Sequence, residues 1–486
     1  MHPVDHSKIV LVHPLGYSSG KSGRDISRMA NIMPPLGLCG LASYLEHRGL
    51  EADIVDFNAR PDSVQRLKDI LIHKRPAYIG FSCTTSSFLD GIRLARESKT
   101  LLPDIRVVFG GVHVSSLGEE MMHQHAVIDY AVVGEGEETL AQLMQNCGHA
   151  PGIPGLIYRE PGNREVVFTG RRPLLDDLDE LPYPAYEKLE GFPKSYPLPI
   201  FNYPKSPNTS AITSRGCPYS CSYCDRSVFQ KSYRFNSAEY IYEHMRYLNQ
   251  HFKVRHINFY DDQFSFKLKR LERLTDMLVN RPLNMSFNCA VRSEHLTESL
   301  LKRLKDAGCW MISLGIESGD QDMLHALNRK VNLEKLAERV RLIKKYGIRV
   351  KGLLMIGMPG ETEASVEKTR QFLFSLPVDD FNLTKFTPFP GAPVYRTIRE
   401  YGDFQEDWSR MDCMHFLFVP QGFTLQRLEE LHRSFYRDHF KRPRVLVDYA
   451  AMLWNSPDSW RRFVLNLGSF IRFARSGERF SREKQA

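Results

Sequence analysis

Three cysteines, Cys217, Cys221 and Cys224, fall inside the stretch SRGCPYSCSYCDR, Ser214 to Arg226, and no further cysteine or histidine follows nearby. Thiolates at this spacing are metal ligands, yet a structural zinc or a closed iron–sulfur cluster takes four protein ligands. A cubane of four irons held by three thiolates leaves one iron open to a small molecule, so the missing ligand would itself be the function. Tyr223, just before the last cysteine, suits a flat ring such as adenine. The same loop completed by a remote His or Cys would instead be a zinc site, and the chain would then be a zinc-stabilised adaptor.

Such a loop must be placed by the elements around it. From Asn208 to about Ala392, six strand-like runs (TSAITSR, HINFYDD, MSFNCAV, WMISLGIE, RVKGLLMIG and FNLTKFTP) alternate with five helical ones. A βα series of this kind curls toward a barrel whose functional face lies at the strand C-termini. Six units predict a partial (β/α)6 barrel, with the cysteines just after its first strand. Upstream, KIVLVHP, EADIVDF, AYIGFSC, RVVFGG and YAVVGEGE alternate with helical stretches. They predict an α/β, doubly wound, Rossmann-like domain that binds its ligand at the carboxyl ends of the strands. Those ends, HPLG, SCTTSS, GGVHVSS and GEGEET, are rich in Gly, Ser and Thr. They could bring backbone N–H groups to phosphates or amides, or serve only as turns. The expected organisation is a first domain over 1–148, a Pro-rich irregular linker over 149–205, a barrel over 206–400, and a small helical, basic C-terminal region over 401–486 with breaks at Pro443 and Pro457.

Composition sets the outer limits. With 42% hydrophobic and 25% charged residues, the 486-residue chain is of ordinary globular type. It shows no run of about 18 apolar residues and no signal-like start. Nine cysteines are too few and too odd in number for a disulfide scaffold, so a reducing cytoplasm is expected. Residues 431–486 carry 12 Lys/Arg against 5 Asp/Glu, whereas the whole chain has 65 against 57. The basic excess is therefore in the tail, and charge gives no reason to expect a nucleic-acid partner.

CPYSCSYC after the first strand of such a series resembles the radical S-adenosylmethionine (SAM) superfamily. YDDQFSF (Tyr260–Phe266), CAVRSE (Cys289–Glu294), GIESGDQ (Gly315–Gln321), IGMPGET (Ile356–Thr362) and FTPFPGAPVY (Phe386–Tyr395) match the expected strand ends in order. The resemblance implies a [4Fe-4S] cluster on Cys217, Cys221 and Cys224, whose open iron chelates SAM and cleaves it to a 5′-deoxyadenosyl radical. It implies Tyr223 at the adenine and Asp261 or Asp262 at the methionine amine. Arg292 and Glu317 would hold the carboxylate and ribose, and Ile356 and Gly357 would meet adenine through the backbone. Alternatively, Asp261 and Asp262 would cap the next helix, and Arg292 and Glu317 would pair with one another. No catalytic side chain is assigned beyond the cluster.

PPLG (Pro34–Gly37), GGVH (Gly110–His113) and GEGEET (Gly134–Thr139) make the first domain resemble the cobalamin-binding domain of B12-dependent radical enzymes. The implied cobalamin contacts are Pro35, Gly37, Cys83, Thr84, Thr85, Ser86, Gly110, Gly111, Gly134, Glu135 and Gly136. Better-known cobalamin domains place Asp-x-His-x-x-Gly after the first strand, with His on cobalt. Here LVHPLG has His13 and Gly16 but Leu11 in place of the Asp. His13 is therefore expected to be a turn residue lacking the carboxylate that would orient it. Cobalt is expected to have no protein ligand.

The expected activity is radical methyl transfer to an unactivated carbon or phosphorus centre. The alternatives with the same cofactors are a cyclisation, rearrangement or oxidation, as in anaerobic magnesium-protoporphyrin ester cyclase. A methylthiotransferase would need a second cluster on Cys39, Cys83 and Cys147. The expected partners are a small-molecule substrate, with a lipid, isoprenoid or tetrapyrrole as the hydrophobic candidates, and a one-electron donor such as flavodoxin or ferredoxin. The basic tail is expected either to pack its helices on the barrel with arginines turned to solvent, the favoured reading, or to offer an amphipathic surface for peripheral contact with the inner membrane face.

Overall fold

The computed structural model describes residues 4–16, 32–160, 162 and 164–468. Two parallel sheets dominate it. The first runs in the order β2-β1-β3-β4-β5-β6-β7. Its strands are β1 (Asp5–His13), β2 (Glu51–Asp56), β3 (Pro76–Ser82), β4 (Arg106–Gly110), β5 (Tyr130–Val132), β6 (Leu156–Arg159) and β7 (Val166–Phe168). The first five are parallel, and β6 and β7 are antiparallel to their neighbours. The order reverses between β1 and β3, which opens a crevice beyond their carboxyl ends.

Both faces of this sheet are buried, so its strands are near-continuous Val/Ile/Phe runs rather than alternating ones. One feature corrects the sequence reading. The stretch expected as an irregular linker, 149–205, begins with a hairpin that extends the first sheet. These strands are only four and three residues long. That is too short for their alternation to stand out among the surrounding prolines.

The second sheet has six parallel strands in the order β15-β14-β13-β12-β11-β8. They are β8 (Asn208–Ala211), β11 (His256–Phe259), β12 (Ser286–Val291), β13 (Cys309–Glu317), β14 (Arg349–Ile356) and β15 (Asp380–Lys385). Ile257, Phe287, Cys289, Ile312, Leu314, Val350 and Leu354 pack outward against the helices. Along β14 every second residue is buried, and the others face the barrel interior. This is the expected half-barrel. Between β8 and β11 a two-residue ribbon pairs β9 (Ser214–Arg215) with β10 (Arg234–Phe235) and ties off the cysteine loop at its base.

The C-terminal region also departs from the all-helical expectation. Its first part contains an antiparallel ribbon, β16 (Gly402–Phe404) with β17 (Phe418–Pro420). Helices then span Leu425–Phe440, Pro443–Asn455 and Pro457–Leu465, the last two each opened by a proline that needs no N–H partner at that position. The basic tail beyond residue 468 lies outside the described residues.

Candidate functional site

The cysteine loop leaves β9 through Gly216, whose φ is +84° and whose missing Cβ lets the Ser232 carbonyl pass close by. Ser222 N–H donates to the Leu327 carbonyl (3.0 Å), and Val394 N–H donates to the Ser222 carbonyl (3.1 Å), so later strand-end loops pin the turn. Cys221 is buried, Cys217 half-buried and Cys224 exposed. Among the described residues no group of three or more His, Cys, Asp or Glu side chains is gathered to hold one metal ion. This leaves the zinc alternative without a ligand set. A cubane is different, because its thiolates bind separate irons and need not meet at one point.

Around the loop stand the residues expected to meet SAM. Arg292 is 3% exposed and stacks its guanidinium 3.9 Å from the Tyr219 ring centroid. It donates to Glu294 (2.6 Å) and to the Lys330 carbonyl (2.9 Å). Arg292 therefore does not pair with Glu317. The guanidinium near Glu317 belongs to Arg329, 3.8 Å away, which also donates to the Gly315 carbonyl (3.0 Å). Glu317 sits at φ +62°, a conformation rare outside glycine. Burial raises its pKa, and Arg329 and the Tyr223 hydroxyl offset part of that rise.

The two aspartates divide their roles. Asp261 is buried and fully engaged, accepting from Thr213 N–H (2.7 Å), Thr213 Oγ1 (2.6 Å) and Ser214 Oγ (2.8 Å). It locks β8 to β11 and is not a helix cap. Asp262 borders the central cavity, and burial followed by the neighbouring Asp261 carboxylate raises its pKa. Of the pair, Asp262 is the one open to a ligand. At the end of β14, the Ile356 carbonyl accepts from Phe386 N–H (2.9 Å), and Gly357 N–H donates to Glu361 Oε2 (2.6 Å). These two backbone groups are thus already paired. Glu361 also accepts from Met358 N–H (3.2 Å), and burial pushes its pKa up to about 8.

A cavity of ≈ 300 Å3 lies between the sheets. Its floor is formed by the first turns of the Leu36–His47 helix, which carry Gly37 and Gly40, and by strands and strand ends of the first domain with Gly80, Gly110, Gly111, Gly134 and Gly136. Its roof includes Ile212, Ser214, Tyr260 and Asp262 of the barrel and Val228 and Phe229 beyond the cysteines. A Cβ added at Gly37 or Gly40 would meet no atom within 4 Å, so it would project into open space. Gly111 is different: its φ is +97°, and a Cβ there would come within 2.7 Å of the Cys83 carbonyl oxygen. Glycines open this floor between the apolar side chains of Leu36, Leu41, Phe81, Val108 and Val132, a lining that suits a large, mainly apolar ligand such as a macrocycle.

Comparison with known proteins agrees with this geometry. The model of the radical SAM superfamily matches residues 211–373, and that of the B12 binding domain matches residues 26–144. An uncharacterized methyltransferase of Pyrococcus horikoshii is 30% identical over 419 residues, covering 85% of this chain and 89% of the relative. The chain belongs to the B12-binding radical SAM enzymes. An anaerobic magnesium-protoporphyrin IX monomethyl ester cyclase of Rubrivivax gelatinosus is 24% identical over 449 residues, covering 89% of this chain and 77% of the relative. The fold is shared with TsrM, a radical SAM methyltransferase of Kitasatospora setae whose structure has cobalamin and a [4Fe-4S] cluster bound. The TM-score is 0.65 at 20% identity, over 81% of this chain and 75% of that one. The cofactors of this B12-binding radical SAM enzyme are accordingly a [4Fe-4S] cluster, SAM and cobalamin.

The expected cobalamin contacts separate into two groups. Gly37, Gly110, Gly111, Gly134, Glu135 and Gly136 line the cavity, and Pro35, Cys83, Thr84, Thr85 and Ser86 do not. Cys83 is 2% exposed beneath Gly111. Thr84 N–H donates to Ser87 Oγ (3.0 Å), closing the turn on itself, and Thr85 Oγ1 faces His113 Nδ1 (3.2 Å) in the interior. Glu135 reaches the cavity, but its carboxylate is already taken by Arg215 (2.7 Å), Arg234 (2.8 Å) and Leu175 N–H (3.0 Å).

His13 gives a further correction. It does have a carboxylate partner, Asp56 on the adjacent strand, with Nδ1 to Oδ1 at 2.9 Å. Sequence reasoning sought that partner two residues upstream in the same strand and missed it across the sheet. The pair does not line the cavity. Cys39 and Cys83 pack in separate cores, and Cys147 is exposed. They cannot share a second cluster, which removes the methylthiotransferase reading. Cys289 and Cys309 are core thiols. Arg329, Arg215 and Glu361 escaped the sequence reading. Glu361 lies inside IGMPGET and Arg215 inside the cysteine stretch itself, whereas nothing local marks Arg329.

Proposed function

We propose that this B12-binding radical SAM enzyme transfers a methyl group to an unactivated carbon or phosphorus centre of a small molecule. One observation carries the reading: a single cavity is floored by the glycine-lined ends of the first sheet and roofed by barrel residues next to the cysteine loop. When bound, the cluster supplies the electron that cleaves SAM and cobalamin carries the methyl group. The chain's own part is to hold, orient and shield. Cys217, Cys221 and Cys224 are the ligands we assign to the cluster. Asp262, Arg329 and Glu317 offer charge at the SAM wall. The glycine floor accepts the corrin with no imidazole from His13.

The methyltransferase name of the Pyrococcus relative supports methylation, and the Rubrivivax cyclase supports ring closure as the second reading. The test is product analysis of the reduced, reconstituted enzyme supplied with SAM and hydroxocobalamin. Methylcobalamin and S-adenosylhomocysteine together with 5′-deoxyadenosine are expected. Sustained 5′-deoxyadenosine with no methylcobalamin would overturn methylation in favour of the cyclase reading.

The substrate we favour is hydrophobic, delivered at an anionic lipid surface. The cyclase relative names a tetrapyrrole. The C-terminal helices expose Trp454 (79%), Leu465 (72%), Val447 (67%) and Val464 (61%) beside Arg444 and Arg461. Among the described residues, no helix is long and apolar enough to cross a membrane. Co-flotation with phosphatidylglycerol vesicles is expected for the full chain and lost on truncation after Thr424. Equal flotation of both would end the idea.

A further inference from the structure

The segments that floor the cavity also grip the cysteine loop, and they do so at both of its ends. On the entry side, Arg215 stands two residues before Cys217. It donates to Glu135 (2.7 Å) and Glu137 (2.6 Å) of the GEGEET segment. Arg234, paired with Arg215 across the ribbon at the base of the loop, donates to the same Glu135 (2.8 Å). On the exit side, Asp225 directly follows Cys224. Its Oδ2 accepts from Ser116 Oγ (2.9 Å), in the short helix that follows Gly110–Gly111. Its Oδ1 accepts from Ser227 N–H (2.7 Å) and Ser227 Oγ (2.6 Å). The two grips are themselves joined, because Gly134 N–H donates to Ser115 Oγ (3.0 Å).

These contacts are not ordinary surface ion pairs. The side chains of Glu135 and Arg234 are only 8% and 10% exposed. Charged hydrogen bonds with this much burial hold their geometry, whereas exposed pairs exchange with water. Each end of the loop is thus fixed to the first domain as well as to its own barrel. The fixing residues sit one to six positions from the glycines of the cavity floor, so a ligand that orders the floor must also order the grips.

We infer that Glu135, Glu137 and Ser116 are positioning residues that couple the two cofactor sites, so that occupancy of the cobalamin floor stabilises the iron–sulfur loop and the reverse. The inference rests on the cofactor assignment above. Coupling between two binding sites is reciprocal, and about 5- to 150-fold is its usual range.

The test is the rate at which a ferrous chelator strips iron from the anaerobically reconstituted full chain, with and without saturating hydroxocobalamin. In the wild type, cobalamin is expected to slow iron loss at least fivefold. In Glu135→Gln/Glu137→Gln, and separately in Ser116→Ala, that protection should fall below twofold, with hydroxocobalamin raised to saturation for each variant. Glu138→Gln is the control. Its partners Tyr44 and Arg48 lie within the first domain, and protection should persist. Should the double variant fail to fold by its thermal melt, Ser116→Ala decides alone, since it removes one hydroxyl. Unchanged protection in the variants, or no protection in the wild type, overturns the coupling while leaving the cofactor assignment intact. A wild type that takes up no iron or no cobalamin overturns that assignment, and the coupling with it.

Discussion

The cysteine loop and the glycine floor meet at one cavity, which Arg215, Val228 and Phe229 line from the loop's flanks and the three cysteines do not, and they are built on opposite principles. The loop is defined by what its side chains donate: three thiolates, and around them the guanidinium groups of Arg292 and Arg329 and the carboxylates of Glu317 and Asp262. The floor is defined by what it lacks. Its distinctive surface is backbone at Gly37, Gly40, Gly110 and Gly134, set among apolar side chains such as Leu41 and Val132. Ligation fixes a few atoms and tolerates no substitution. Shape complementarity spreads over many positions and yields only where bulk is added. A covalent cluster loop should therefore fail at once and a surface should fail gradually.

The largest expected effect breaks the first half of that comparison. Cys221→Ala removes a ligand and should take the iron content of the reconstituted protein from about four per chain to near zero, by colorimetric iron assay. Hydroxocobalamin uptake surviving in that variant would show that the floor does not depend on ligation.

Gly37→Leu addresses the second half. Because a Cβ at Gly37 meets nothing within 4 Å, the fold should hold while the added bulk lowers hydroxocobalamin affinity by about tenfold or more, read by titration of the visible spectrum. Affinity within twofold of wild type would place the corrin elsewhere.

A smaller effect concerns the backbone at the end of β14. The raised pKa of Glu361, about 8, means that the folded chain keeps its proton where the unfolded chain has lost it. The contribution is fully present below the ordinary value of 4.5 and is lost as pH rises toward 8. The slope has a ceiling of about 1.4 kcal/mol per pH unit. Glu361→Gln should flatten the fall in melting temperature between pH 5 and 8. Parallel profiles for the two proteins would show that Glu361 is ionised when buried.

The smallest expected effect is none. His13→Ala should leave the spectrum of bound cobalamin unchanged, because His13 is engaged by Asp56 outside the cavity. A shifted cobalt spectrum would mean that the imidazole leaves Asp56 for the metal.

The sequence alone determined the two α/β halves and singled out the three cysteines proposed as cluster ligands. Val/Ile-rich strands buried on both faces leave a continuous apolar signature, and three cysteines in eight residues are a local pattern that needs no partner from elsewhere. Gly110, Gly111 and Gly134 were legible for a similar reason, since glycines clustered at strand ends mark close backbone approach. Tertiary structure alone decided which of several equivalent-looking groups was free. Asp261 and Asp262 are adjacent and identical, yet one is consumed by Thr213 and Ser214 while the other borders the cavity. Glu135 lies among the floor glycines but is spent on arginines 80 and 99 residues away. Hydrogen-bond partners arrive from strands distant in sequence, and no local pattern encodes which distant group will satisfy a given carboxylate.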